Sequence, residues 1–131
     1  MGRAPDSVGD LMTKDVVTVK PDEPVRSGVR AMVERDIGSV VVADGAEPLG
    51  VFTERDVTRG ILDDPGFLDR PVRDVMSSPP ITADSDAEVV FVFELMNARG
   101  IRRLPVVDQG RLVGIVTERD LLRWVDQVAK E

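Results

Sequence analysis

The sequence predicts an α/β fold (α+β in its segregation of helices and strands) built from two similar units, each a β-α-β-β-α run. Three observations carry this. The chain repeats itself, since GVFTERDV (Gly50 to Val57) returns as GIVTERDL (Gly114 to Leu121), 64 residues on. Helix-spaced apolar positions alternate with short apolar runs bounded by turn formers. The core material is aliphatic: hydrophobic residues make up 42% of the chain and aromatics only 4%.

Sliding the chain by that offset aligns far more than one word, and no gap is needed. Val8, Asp10 and Met12 fall on Val72, Asp74 and Met76. Thr18, Asp22, Val25 and Met32 fall on Thr82, Asp86, Val89 and Met96. Arg35, Ile37, Val42 and Asp44 fall on Arg99, Ile101, Val106 and Asp108, and Arg59 falls on Arg123. A tandem duplication follows, with units over 8–62 and 72–126 and a turn-rich, charged linker over 63–71.

The elements of each copy follow in order. A short segment ending in Met12 or Met76 leads to a strand, around Val16 to Val19 or Ile81-Thr82. A helix comes next, Pro24 to Arg35 or Ala87 to Arg99. Pro24 suits a first helical turn, and Asp22 or Asp86 stands where a cap would. Val25, Val29, Met32 and Val33 share one face of the first copy's helix, and Val89, Val92, Phe93 and Met96 one face of the second's. Two strands follow, Ser39 to Ala43 and Leu49 to Thr53, across Asp44-Gly45-Ala46-Glu47-Pro48. Their counterparts are Leu104 to Val107 and Arg111 to Thr117. A last helix opens at each TERD. One unit of this size is marginal for burying a core alone. Two similar units are expected to pack about a pseudo-two-fold axis, with a cleft between them.

Composition excludes several functions. Cysteine and histidine are both absent, which removes thiolate nucleophiles, disulfides, Cys-ligated zinc and the usual general base. No metal site and no catalytic residues are expected, so the protein is not read as an enzyme. A formal net charge of −7 argues against nucleic-acid binding. No apolar run approaches a membrane span. The start, MGRAPDSVGD, has no signal-peptide core, and Asp6 departs from a myristoylation signal at Gly2. A cytoplasmic protein is expected.

Thr-Glu-Arg-Asp has two meanings. As structure it is a capping box: Thr53 or Thr117 caps the helix, and Asp56 or Asp120 reaches back to the cap's N–H. As chemistry, a strand running into a helix N-terminus offers unpaired N–H groups and a positive dipole end, where phosphates bind readily. An ionised Asp there accepts hydrogen bonds only, which suits the two hydroxyls of a ribose. Arg55 and Arg119 are either phosphate partners or solvated surface. Gly50 and Gly114 permit close backbone approach or mark a simple bulge. Arg102-Arg103 in copy two replaces Gly38-Ser39 in copy one, so the second site is expected to be the more basic, favouring the more anionic ligand.

The doubled unit, with IGSVVV…GVFTERDV and IRRLPVVDQGRLVGIVTERDL, resembles a pair of CBS domains, a Bateman module, from about Val8 to Val125. The resemblance implies a stand-alone regulatory module. It implies adenosine-containing ligands (AMP, ADP, ATP, S-adenosylmethionine or NAD derivatives) in the cleft between the units, with no obligatory cofactor. It assigns Asp56 and Asp120 to ribose hydroxyls, and Thr53 and Thr117 to ribose or phosphate. It places adenine near Val17 and Ser39 in copy one and near Ile81, Arg103 and Pro105 in copy two. It also implies a homodimer through the helices, for which Phe91, Leu95 and Trp124 are the candidate contacts. The competing reading is a ligand-independent protein-interaction module, in which TERD is only a cap. The methionines Met12, Met32, Met76 and Met96 are expected in the core rather than in a ligand box.

Overall fold

The computed structural model describes residues 6–131, so the reading of Gly2 lies outside the described residues. The element order is α1 (Val8–Leu11), β1 (Thr18–Val19), α2 (Val25–Arg35), β2 (Ser39–Asp44), β3 (Glu47–Thr53) and α3 (Glu54–Asp63). Two short 3-10 turns follow, Phe67–Asp69 and Val72–Asp74. Then come β4 (Ala83–Asp84), α4 (Val89–Arg99), β5 (Arg103–Asp108), β6 (Arg111–Thr117) and α5 (Glu118–Ala129). Among the described residues no helix is long and apolar enough to cross a membrane.

Each repeat forms its own three-stranded sheet, ordered β1-β2-β3 and β4-β5-β6. The first pair in each is parallel and the second antiparallel, with matching registers: Thr18 opposite Val41 and Ser39 opposite Thr53, Ala83 opposite Val106 and Arg103 opposite Thr117. Each antiparallel pair shifts register once, at Val42/Ala43 and at Val106/Val107.

The compact units do not follow the repeat boundaries. One unit holds residues 17–80 and the other, among the described residues, holds 6–16 with 81–131. The cause is an exchange of leading segments. Val8 N–H donates to Ala87 O at 2.8 Å and Gly9 N–H to Ser85 O at 2.8 Å, so the first leader docks on the second repeat. The second leader docks on the first repeat by equivalent bonds, Val72 N–H to Glu23 O at 2.8 Å and Arg73 N–H to Pro21 O at 3.1 Å. Val8 and Val72, both fully buried, plug the two cores.

The same exchange caps the first helices. Neither Pro24 nor Glu88, the residues at the caps, makes a side-chain cap bond, and Asp22 and Asp86 play no such part. Instead Val25 N–H donates to Arg70 O and Val89 N–H to Asp6 O, so a backbone carbonyl from the leader satisfies an orphan donor.

Other boundaries shift for identifiable reasons. The strand expected at Ile81-Thr82 begins at Ala83 because Thr82 would face Pro105, which has no N–H to give. In the first copy Val16 N–H turns back to Lys14 O, and the strand starts at Thr18. Val33 and Phe93, expected in the core, are exposed. The buried face of α2 runs through Val25, Gly28 and Met32, and that of α4 through Val89, Val92 and Met96. Gly28 admits the Phe52 ring, and Val92 fills the matching place in the second copy. The connection read as a linker carries a core residue: Phe67 is 3% exposed, with its ring centroid 6.5 Å from that of Phe52.

Candidate functional site

Both TERD words form complete capping boxes. Thr53 Oγ1 accepts from Asp56 N–H at 3.4 Å, while Asp56 Oδ2 accepts from Thr53 N–H at 2.9 Å and from its hydroxyl at 3.1 Å. The second box repeats this, with Asp120 Oδ2 taking Thr117 N–H at 2.9 Å and its hydroxyl at 3.1 Å. Such caps stabilise a helix start by about 1 kcal/mol. The structural meaning of TERD is therefore present, and it uses only one carboxylate oxygen.

Around each box the structure gathers the other candidates within one unit. Ser39 is buried and lies directly opposite Thr53, so both side chains share a face. Val41 N–H bonds the Val17 carbonyl at 3.1 Å, which ties Val17 to the same strand. In the other unit Arg103, half-buried, lies opposite Thr117, and Pro105, buried, lies opposite Ile115. Ile81 is half-buried, and the Pro105 that stands in the place of Val41 offers it no N–H. Arg55 and Arg119 are exposed in the first turns of α3 and α5.

Two features qualify the expected basic second site. Arg102 forms an ion pair with Glu118 at 3.2 Å, so of the arginine doublet Arg103 is the one set beside Thr117. Asp120 is only 3% exposed and carries further partners. The Thr13 hydroxyl donates to its carboxylate, 3.2 Å from Oδ1 and 3.4 Å from Oδ2, and Arg123 Nη1 lies 3.6 Å from Oδ1. Asp56 is half-buried, and among the described residues no protein donor reaches its Oδ1. Thr13 was not singled out from sequence. The available signal was its alignment with Ser77, a hydroxyl residue following the methionine in both copies.

The two glycines serve the leaders. A Cβ on Gly50 would lie 2.5 Å from Met76 Sδ and 2.8 Å from Ser77 O, and one on Gly114 would meet Met12 Sδ, with Thr13 O at 3.0 Å. Gly50 and Gly114 thus let the leader strand lie against β3 or β6, where Val51 pairs Ser77 and Ile115 pairs Thr13. Met32 and Met96 are buried, as expected, while Met12 and Met76 pack half-buried at the core edge.

The candidate contact residues divide. Phe91 is 58% exposed, whereas Leu95 and Trp124 pack half-buried against their own unit's core. Val90 and Phe93 on α4 and Leu122 and Val125 on α5 are also exposed. A groove of about 420 Å³ between α4 and α5 includes Phe93, Met96, Leu121 and Leu122 in its lining, together with the Arg102 and Glu118 of the ion pair.

Two α/β units, each with a Thr-capped helix start and an acidic residue at its third position, define a tandem module with a duplicated helix cap. The chain belongs to the CBS domain family: the family's model matches residues 8–63 and 72–127. An uncharacterized protein of Methanopyrus kandleri, MK0525, is 42% identical over 89% of this chain and 61% of its own length. Inosine-5'-monophosphate dehydrogenase of Methanocaldococcus jannaschii is 38% identical over 87% of this chain but 22% of its own length. The chain thus spans under two thirds of both relatives. Among solved structures, the CBS domain pair of protein MJ0100, in complex with 5'-methylthioadenosine and S-adenosyl-L-methionine, superposes with a TM-score of 0.84. It is 25% identical, over 97% of this chain and all of that one.

Proposed function

We propose that this chain is a cytoplasmic regulatory sensor module that binds an adenosine-containing ligand at its TERD seats and performs no catalysis. AMP, ADP, ATP, S-adenosylmethionine and NAD are the candidates. The observation that carries the reading is the helix start at Thr53 and Asp56, where one carboxylate oxygen completes the cap and no protein donor among the described residues reaches the other. The adenosyl ligands of the MJ0100 pair support the same chemistry. Val17, Ser39 and Arg55 would line the first seat, and Ile81, Arg103, Pro105 and Arg119 the second. A ligand acts through such a module only by binding one conformational state better than another.

A melting-temperature screen with the five compounds tests this. A ligand at 100 times its Kd adds about 2.7 kcal/mol of stability. The double variant Asp56→Ala/Asp120→Ala should fold and lose every shift. Absence of any shift in the wild-type protein at millimolar concentrations would remove the proposal.

A second function for the same chain, association through its helices, is favoured by the exposed apolar surface on α4 and α5. Its proposed occupant is a second copy of the chain, giving a homodimer. Nucleotide-independent partner binding through that surface would instead support a pure interaction module.

A further inference from the structure

The two seats carry the same four-residue word, yet their carboxylates are in different states of use. At Asp56 the Oδ2 atom serves the capping box and Oδ1 has no protein donor among the described residues. At Asp120 the Oδ2 atom serves the identical box, but Oδ1 faces the Thr13 hydroxyl at 3.2 Å and the Arg123 guanidinium at 3.6 Å. Arg59, the counterpart of Arg123, makes no ion pair with Asp56 among the described residues.

Thr13 is held in place by backbone. Its N–H donates to Ile115 O at 2.9 Å and its carbonyl accepts from Ile115 N–H at 2.9 Å. Ser77 makes the same two-bond bridge to Val51, at 2.9 and 3.0 Å. The backbones are alike and the side chains are not: both residues are exposed, but the Thr13 hydroxyl bonds Asp120 while the Ser77 hydroxyl makes no bond to Asp56 among the described residues. A β-branched threonine has few χ1 choices, while serine rotates freely.

We propose that Thr13 is the residue that makes the seats unequal: its hydroxyl holds the Asp120 oxygen that a ribose hydroxyl would need. The inference rests on the adenosyl-ligand reading above. A ribose entering at Asp56 gains a hydrogen bond to a charged acceptor outright. A ribose entering at Asp120 exchanges its hydroxyl for one already there, and the net gain nearly vanishes. The first seat therefore fills at lower ligand concentration, although the Arg102-Arg103 doublet belongs to the second copy.

Isothermal titration with the adenosyl compound that gives the largest melting shift tests this. In the wild-type protein the tighter event should disappear in Asp56→Ala and persist in Asp120→Ala. In the Asp56→Ala background, adding Thr13→Ala should tighten the remaining seat by about tenfold, the scale of one hydrogen bond to a charged group. A purely structural Thr13 would lower the melting temperature and leave that affinity unchanged, which would overturn the inference. Loss of the tighter event in Asp120→Ala would overturn it too. If Thr13→Ala fails to fold, Thr13→Ser, which keeps the donor but frees its rotation, should give a smaller gain in the same background, and no gain counts against the inference. Failure of every compound to bind wild-type protein removes the ligand reading itself. Binding at two seats that Thr13 variants do not alter removes this inference alone.

Discussion

Met12 packs onto Gly114 so closely that a Cβ at Gly114 would overlap its thioether, and Met76 packs onto Gly50 in the same way. The partners in each pair come from different sequence repeats. Each glycine therefore marks where a leading segment crosses to the other copy and lies along its last strand, fixed there by the bridges Thr13–Ile115 and Ser77–Val51.

Gly114→Ala and Gly50→Ala should each destabilise their unit by about 1–3 kcal/mol, the usual cost of overpacking. Urea unfolding followed by circular dichroism measures it. The added methyl would press on Ser77 O in the Gly50 variant, and a carbonyl held in a two-bond bridge has little room to move. Wild-type stability in either variant would show that the leaders yield.

Phe67 should behave as a core residue despite its place in a charged, turn-rich stretch. Its ring covers Gly60 so tightly that no Cβ fits there, and it meets the Phe52 ring. Phe67→Ala should cost about 3–5 kcal/mol. Phe91→Ala, an equal truncation on an exposed helix face, should stay within about 0.5 kcal/mol in a monomeric sample. Matched urea titrations of the two variants at low concentration make the comparison.

The apolar surface of α4 and α5 predicts self-association. Leu122, 69% exposed, and Phe91 lie on helices with several exposed apolar neighbours, while α3 in the first copy shows Ile61 and Leu62. A charge at the centre of a packed interface leaves an unpaired ion in an apolar setting. Leu122→Glu and Phe91→Glu should each turn a dimer into a monomer in sedimentation velocity at micromolar concentration, without loss of helical signal. A wild-type monomer under those conditions would rule out the homodimer.

Much of this was legible in the sequence because it is local or periodic. The helices, the two hairpin strands of each copy and the TERD caps follow from 3.6-residue spacing, turn residues and the Thr-x-x-Asp word. Adjacent residues decide all of these. Spacing predicts burial of Val33 and Phe93, and the structure exposes both, because a helix face two residues wide tolerates a rotation that pattern alone does not resolve. The rotation is set by Phe52 filling the space over Gly28, and by Val92 taking the matching place.

What the sequence by itself determined is the duplication, the α/β class and the two Thr-x-x-Asp helix caps. These depend on residue types at fixed separations. The tertiary structure alone decided which leader serves which repeat and which carboxylate is already engaged. Thr13 and Asp120 are 107 positions apart, and the hydrogen bond between them exists only because the first leader crosses to the second copy. In a near-perfect repeat the crossed and uncrossed arrangements bring together residues of the same types, so sequence spacing cannot tell them apart. Packing of Val8 and Val72 into opposite cores makes the choice. It also leaves two identical words with different chemistry.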